Sequence, residues 1–182
     1  SSEATFGKGK GGRPDEPLAA AARDRLRELV QGKSVRLVLE EEQRDHYGRW
    51  LAHLLLPDGT RVEEVLLKEG LASAIAIPPN VSQWQRLFDA ETAARTARRG
   101  LWGNAYSTPV PAESLNPTRT GFQFVRGRVT HVGRSRKYVY LDMGPHFALR
   151  IGHAGWKQYF HGRPEDWRGA QIEARGWISE QN

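Results

Sequence analysis

The chain has 182 residues, of which 38% are apolar and 26% are charged, and its formal net charge is +6. This apolar content is too high for a disordered chain, and no apolar run approaches the roughly 18 residues that a membrane span needs, so an integral membrane protein is excluded. The absence of Cys excludes disulfides, thiolate zinc sites, iron–sulfur clusters and thiol nucleophiles.

The first part of the chain predicts alternating helices and strands. Residues 1–16 are rich in Gly and nearly free of large apolar side chains, which is typical of a flexible arm or loop. Hydrophobic spacing and turn residues then predict a helix opened by Pro17 and ended by Gly32, strands over Val35–Leu39 and Trp50–Leu56, a short helix over Val62–Glu69 and a longer helix over Ser82–Arg99. We expect residues 17–103 to form one domain.

A segment containing three prolines separates this domain from a second one. Pro109, Pro111 and Pro117 punctuate residues 104–120, which predicts a linker or a surface strap. Residues 121–182 predict a small β domain, with strands over Phe122–Val132, Tyr138–Met143, Phe147–Ile151 and Gln171–Ile178 and a short helix over Ala154–Phe160. The predicted fold class is therefore mixed α and β, with mainly β structure in the second domain.

The densest group of polar and aromatic side chains lies just before the second strand and reads Arg44-Asp45-His46-Tyr47-Gly48-Arg49. A Gly beside an Arg at the entrance of a strand lets the backbone bend and directs the guanidinium across the end of the sheet. A guanidinium suits a phosphodiester, because its two parallel hydrogen bonds stabilise the transition state if they shorten as charge builds on the phosphoryl oxygens. The alternative is an ordinary surface turn with a solvated Arg49.

The order of the motifs along the chain resembles the staphylococcal nuclease (thermonuclease) family. The resemblance spans Pro17–Trp102 and rests on the Asp-x-Tyr-Gly-Arg motif, on Glu69-Gly70-Leu71-Ala72 and on Arg99-Gly100-Leu101-Trp102. It implies a five-stranded OB-type barrel with three helices and the calcium-assisted hydrolysis of phosphodiesters in DNA and RNA. By this resemblance Arg49 matches the second of two catalytic arginines, and Tyr47 matches a tyrosine that contacts nucleotide phosphate. His46 stands where the best-known member has a lysine, which implies a phosphate contact there too.

Two departures from the family pattern lead to further expectations. The family's first three barrel strands carry the other catalytic Arg, the calcium carboxylates and the general-base Glu, and we expect these groups upstream of residue 1. Calcium is therefore the expected cofactor, with no metal ligand in residues 1–182. Where the best-known member has tyrosines near the nucleotide base, this chain has Ala74-Ile75-Ala76-Ile77, so base stacking there should be weak, because aliphatic side chains offer no π-face.

One face of the second domain is predicted to combine basic and aromatic side chains. Residues 105–182 hold 11 Lys+Arg and six Asp+Glu, so most of the basic surplus lies there, which favours a polyanionic partner. Regular alternation places on the face opposite to the core Arg126, Arg128, Tyr138, Tyr140 and Arg150. OB-type modules use such a face to stack bases and neutralise phosphates. The alternative is a basic solvated face on a structural domain.

This second domain also resembles the OB-like tail that follows some bacterial thermonuclease-like domains. The resemblance rests on Gly127-Arg128-Val129, Tyr140-Leu141-Asp142-Met143-Gly144 and Arg175-Gly176-Trp177-Ile178, and the pattern stops about one strand short, at Asn182. We therefore expect a small OB-like β domain that is truncated at its end.

These observations leave two functions open. The first is a calcium-dependent nuclease, a thermonuclease-like phosphodiesterase that acts on DNA or RNA and whose second domain helps to hold the nucleic acid. The second is a protein of the same fold that binds nucleic acid, or another protein, without catalysis. The six His residues show no HxH or HxxxH spacing, which argues against a zinc site. The family resemblance further suggests a secreted or periplasmic bacterial protein.

Overall fold

The structure of the chain is a computed structural model that describes residues 18–116 and 121–178. It divides into two units, Ser1–Ser107 and Thr108–Asn182. The predicted arm over residues 1–16 and the helix start at Pro17 lie outside the described residues. Within the described ranges, no helix is both long enough and apolar enough to cross a membrane.

Three α-helices and one β-hairpin make up most of the described part of the first unit. In chain order they are α1 (Ala19–Val30), β1 (Arg36–Arg44), β2 (Trp50–Leu55), α2 (Val62–Lys68) and α3 (Trp84–Thr96). The order and type of these five elements, predicted from the sequence, are confirmed. β1 is longer than the predicted strand because its pairing with β2 resumes at Arg44, opposite Trp50. In this extension Glu40 is buried, and the N–H of Glu42 donates to the side-chain oxygen of Asn80.

A close approach of two backbones joins the ends of α2 and α3. The carbonyl of Gly70, just after α2, accepts a hydrogen bond of 2.8 Å from the N–H of Leu101. A Cβ on Gly70 would lie 2.2 Å from the carbonyl oxygen of Arg99, and a Cβ on Gly100 would lie 2.3 Å from that of Gly70. Both positions therefore require Gly. The two helices also share a buried apolar cluster made of Leu67, Ala74, Leu87 and Ala90.

The hairpin leaves apolar side chains of β1 exposed. Leu37, Val38 and Leu39 all belong to the exposed large apolar residues of the chain. Among the described residues, β1 and β2 pair only with each other, whereas the family resemblance implies a five-stranded barrel. The described part of the first unit thus supplies two of the five expected strands, and its apolar β1 surface lacks the cover that a closed barrel provides.

Two three-stranded sheets surround the core of the second unit. Its elements in chain order are β3 (Val110–Pro111), β4 (Gly121–Arg128), β5 (His131–Arg134), β6 (Tyr138–Gly144), β7 (Phe147–Gly152), α4 (His153–Tyr159) and β8 (Gln171–Ile178). β4 lies between β3 and β8, and β6 lies between β5 and β7. The core contains Ala112, Leu115, Val125, Val129, Val139, Leu141, Met143 and Trp156. Over residues 108–116 and 121–178 the two sheets do not close into a barrel.

The strand predicted over Phe122–Val132 is divided into β4 and β5. Between them, the N–H of Val129 donates to the carbonyl of Ala170 at 2.9 Å, and the N–H of Thr130 donates to the carbonyl of Asp142 at 2.8 Å. The chain therefore changes its pairing partner from β8 to β6 at Val129 and Thr130. This change of partner, which hydrophobic alternation does not reveal, is the reason for the division.

Part of the segment predicted as a linker belongs to the core of the second unit. Val110 and Pro111 pair in parallel with β4, and Ala112 and Leu115 are buried. A Cβ on Gly127 would lie 2.9 Å from the Cβ of Ala112, so Gly127 permits the close approach. Pro111 suits this position because β3 is an edge strand, where a missing N–H removes no ladder hydrogen bond.

Candidate functional site

Asp45 organises the loop that connects β1 to β2. One carboxylate oxygen accepts hydrogen bonds from the N–H groups of Tyr47 and Arg49, each at 2.9 Å, and the other lies 2.5 Å from Nε of Arg49. Gly48 takes a φ of 79° and donates its N–H to the carbonyl of Asp45 at 2.9 Å, which explains a Gly at this turn. Burial tends to raise the pKa of Asp45, but the hydrogen bonds from Arg49 and Tyr47 outweigh it and keep the pKa below its usual value.

The carboxylate of Asp45 also sets the direction of the Arg49 guanidinium. The Arg49 side chain is 49% exposed, and its Cζ lies 5.2 Å from the centre of the Tyr47 ring. The guanidinium is therefore restrained by Asp45 and Tyr47 while part of it stays open to solvent. This differs from the alternative of a solvated surface Arg, because a restrained guanidinium can meet an anion in a fixed orientation.

His46 and Tyr47 lie beside Arg49 in the same loop. Their ring centres are 3.7 Å apart, and Tyr47 is 73% exposed, so its ring is accessible from solvent. The structure thus brings together the three residues that the sequence predicts for phosphate binding. Their contacts with phosphate stay a prediction.

A comparison with known protein families shows to which family the chain belongs. Residues 4–104, more than half of the chain, match the family model described as staphylococcal nuclease homologue. The chain belongs to this family. The resemblance that the motifs of the first domain indicate is therefore confirmed.

Three relatives show how far the similarity extends. The chain is 32% identical over 91 residues to the thermonuclease of Staphylococcus hyicus, 35% over 96 residues to the SPbeta prophage-derived endonuclease YokF of Bacillus subtilis (strain 168), and 34% over 92 residues to the endonuclease YncB of the same strain. The matched regions cover 50%, 51% and 50% of this chain, and 53%, 32% and 43% of the relatives, respectively. The chain therefore spans about half the length, or less, of these curated relatives.

Two further side chains border the loop of this nuclease homologue, and the sequence analysis missed their contact. Arg44 and Trp50 are cross-strand partners at the loop end of the hairpin, and Cζ of Arg44 lies 3.7 Å from the centre of the Trp50 ring. Nη1 of Arg44 also donates to the carbonyl of Gly48 at 2.6 Å. The signal that could have revealed the pair is their position, because residues that flank a tight hairpin turn face each other across the strands.

A buried ionic cluster ties the hairpin of the nuclease homologue to α2. Nε2 of His53 in β2 lies 2.7 Å from a carboxylate oxygen of Glu40, and Nδ1 lies 2.8 Å from one of Glu63 in α2. All three side chains are buried. The hydrogen bond with Glu63 raises the pKa of His53 against the opposing effect of burial. Burial tends to raise the pKa of Glu63, but the hydrogen bond and the charge of His53, together with the backbone N–H groups of Glu63 and Leu54, outweigh this effect and lower it.

The carboxylates near the loop do not form a calcium site. The described ranges contain no group of three or more His, Asp or Glu side chains that could hold a metal ion. Asp45 is engaged by Arg49 and Tyr47, and Glu40 is engaged by His53. Since calcium takes six to eight oxygen ligands, these two separate carboxylates do not fit it. The expected calcium ligands upstream of residue 1 stay a prediction.

Three of the five residues predicted on one face of the second unit lie together. Tyr140 and Arg150 are cross-strand partners, Cζ of Arg150 lies 4.9 Å from the centre of the Tyr138 ring, and the two Tyr rings are 6.3 Å apart. Arg126 and Arg128 lie on β4 in the other sheet, where they border a groove of about 770 Å³. The predicted single face is divided because the chain changes partner between β4 and β5.

A second groove is lined by residues of β8 together with Tyr140 and Arg150. This groove has a volume of about 840 Å³, and its lining includes Tyr140, Arg150, Arg175 and Trp177. Trp177 is 54% exposed, and its ring lies edge-on to Phe122 with the centres 5.2 Å apart. The sequence analysis missed Arg175 and Trp177 as binding candidates, because their position depends on the register between β4 and β8.

Proposed function

We propose that this staphylococcal nuclease homologue is part of a phosphodiesterase that hydrolyses nucleic acid, and that Arg49 binds the phosphate that is cleaved. The observation that carries the proposal is the restrained and partly exposed guanidinium of Arg49, held by Asp45 in the loop of the family motif. Family membership supports it, as do the relatives named thermonuclease and endonuclease.

The guanidinium supplies charge stabilisation during hydrolysis. A water oxygen attacks phosphorus, the bond from phosphorus to the leaving oxygen breaks, and a proton ends on that oxygen while negative charge gathers on the non-bridging oxygens. N–H donors of Arg49 at those oxygens stabilise the transition state more than the substrate. Because Asp45 already fixes the guanidinium, little orientational freedom is lost when the phosphate binds. Tyr47 and His46 hold an adjacent phosphate in the proposed complex.

The second unit is, in this proposal, an OB-type module that holds the nucleic-acid strand. Its second groove combines the aromatic rings of Tyr140 and Trp177 with the cations of Arg150 and Arg175. Aromatic faces stack on bases, and arginines neutralise phosphates, so the groove suits a single strand without demanding a particular sequence. The two arginines of β4 lie on the other sheet and would add only phosphate contacts.

Calcium dependence and export enter the proposal through the family resemblance. The ligands for calcium would come from residues outside 18–116 and 121–178. A secreted or periplasmic location has the same basis.

Cleavage of short labelled DNA and RNA oligonucleotides, with calcium and with EDTA, tests the proposal on a protein that contains this chain together with the residues expected upstream of residue 1. We expect cleavage with calcium only, and we expect Arg49→Ala to lower the turnover by about 100- to 1000-fold without a change in melting temperature. Arg23→Ala is the matched control, because Arg23 is an exposed Arg of α1 that pairs only with the neighbouring Asp24 among the described ion pairs. Unchanged turnover in Arg49→Ala would remove Arg49 from the reaction.

A non-catalytic nucleic-acid-binding protein of the same fold is the second candidate. The exposed cations and rings of the loop and of the groove favour it, since they suffice for binding. Such a protein would cleave neither oligonucleotide with or without calcium. It would bind both with an affinity that falls steeply with salt, and the slope would count the phosphate contacts.

A further inference from the structure

The stacked pair of Arg44 and Trp50 borders the proposed phosphate site, where Arg49, Tyr47 and His46 are the residues proposed to bind phosphate. We propose that Trp50, backed by Arg44, forms a stacking subsite for a nucleotide base next to the phosphate that Arg49 binds. This inference rests on the proposed function and deepens it, because it adds a base contact to the proposed phosphate site.

Arg44 covers one face of the indole and leaves another open. Its Cζ lies 3.7 Å from the centre of the Trp50 ring, and its Nη1 is anchored at 2.6 Å to the carbonyl of Gly48. Trp50 is nevertheless 53% exposed. An indole that is held on one face by an anchored cation presents a preorganised surface to a flat ligand on the other face.

The charges around Trp50 favour a ligand that joins a flat ring to an anion. The loop carries the cations of Arg44 and Arg49, and its carboxylate, Asp45, is mostly buried and engaged by Arg49. The exposed rings at the loop include those of Tyr47 and Trp50. Aromatic rings interleaved with cations are the surface on which nucleotide bases stack while phosphates are neutralised.

Trp50 supplies a ring that another part of the chain lacks. The segment 74–77, which by family resemblance lies near the nucleotide base, contains only Ala and Ile, and Ala74 is buried. Trp50 directly follows Arg49, so their Cα atoms are about 3.8 Å apart. Arg44, which stacks on the indole, also binds the carbonyl of Gly48 beside Arg49, so a base on the indole and a phosphate at Arg49 can belong to the same nucleotide or to neighbouring ones.

Fluorescence anisotropy of the full chain in EDTA tests the subsite, because binding is then measured without cleavage. The two probes are a labelled short oligothymidylate and an oligomer of the same length and charge in which every residue is abasic. The variants are Trp50→Ala and Trp50→Phe. The matched control is Trp84→Ala, which removes an exposed indole from α3.

We expect Trp50→Ala to weaken the binding of oligothymidylate about tenfold and to leave the binding of the abasic oligomer unchanged. Trp50→Phe should retain most of the affinity, and Trp84→Ala should change neither probe. Equal affinity of wild type and Trp50→Ala for oligothymidylate overturns the subsite while phosphate binding stands. An equal loss for both probes indicates a structural effect and also overturns it. If the wild-type chain binds neither probe, the proposed function fails together with the subsite.

Discussion

The hairpin of β1 and β2 carries two groups of charged side chains, and their surroundings differ. In the loop, Asp45 forms an ion pair with the half-exposed guanidinium of Arg49, and ion pairs open to solvent contribute about 0–1 kcal/mol to stability. Behind the loop, His53 lies between Glu40 and Glu63 in the interior, where loss of one partner leaves an uncompensated charge. The comparison indicates that substitutions in the loop affect binding with little cost in stability. The buried cluster, in contrast, holds the hairpin on α2.

His53→Ala should produce the largest loss of stability. It leaves two buried carboxylates without their shared partner, which costs about 3–5 kcal/mol of unfolding free energy. Urea denaturation, followed by circular dichroism, measures the change in His53→Ala and in a control variant. His46→Ala, which removes an imidazole from the loop, is the control and should stay within about 0.5 kcal/mol of wild type. Equal destabilisation by both variants would contradict the distinction between the two groups.

Asp45→Asn should change turnover more than stability. The Asn side-chain oxygen can still accept the N–H groups of Tyr47 and Arg49, but the charge that restrains the guanidinium is gone. If the chain is a nuclease, we expect turnover to fall about tenfold, corresponding to about 1.4 kcal/mol of transition-state stabilisation, with a stability change below about 1 kcal/mol. Oligonucleotide cleavage and urea denaturation of the same preparation measure the two effects. Wild-type turnover in this variant would show that the ion pair does not position Arg49.

The free energy of unfolding should also change gradually with pH. This change should be smaller than the effect of His53→Ala, because deprotonation of His53 leaves its imidazole in place. The pKa of His53 is raised, so its contribution is fully present below its ordinary value of 6.5 and is lost as the pH rises through the raised value. The pKa of Glu63 is lowered, so its contribution is present above its ordinary value of 4.5 and is lost as the pH falls through the lowered value.

These two groups stabilise the chain most between about pH 4.5 and 6.5. We expect the urea midpoint of the wild-type chain to decline as the pH rises above this range. The decline should be absent in His53→Gln, which cannot titrate. Parallel curves for the two proteins would show that His53 does not carry the dependence.

The parts of the molecule that the sequence predicts well depend on short-range signals. The turn of the loop follows from Asp45 and Gly48, and the helix α2 ends at a Gly, so both can be read within a few residues. The three loop residues proposed to bind phosphate lie together because they fall within four positions of the chain. Hydrophobic spacing and turn residues predict the order of the helices and strands over residues 17–99, and the motifs over residues 17–102 indicate the family.

The parts that the sequence does not predict depend on pairing between distant segments. An acidic run such as Glu40–Glu42 ordinarily lies in solvent. The pairing of β1 with β2 places Val38 opposite His53, and Glu40, two residues further on the same face, therefore reaches His53. Likewise, the prolines of the segment 104–120 suggest a linker, yet Ala112 and Leu115 fill a core whose other members lie further along the chain. Hydrophobic alternation carries no information on either arrangement.

The contact between positions 70 and 100 constrains how this fold can vary. Since each backbone fills the space that a methyl group on the other would need, Ala at either position would push the ends of α2 and α3 apart. A compensating substitution at the second position cannot restore the space, because Gly has no smaller replacement. We therefore expect any descendant of this sequence that keeps the helix packing to keep both glycines, and any that loses one to have repacked the pair of helices.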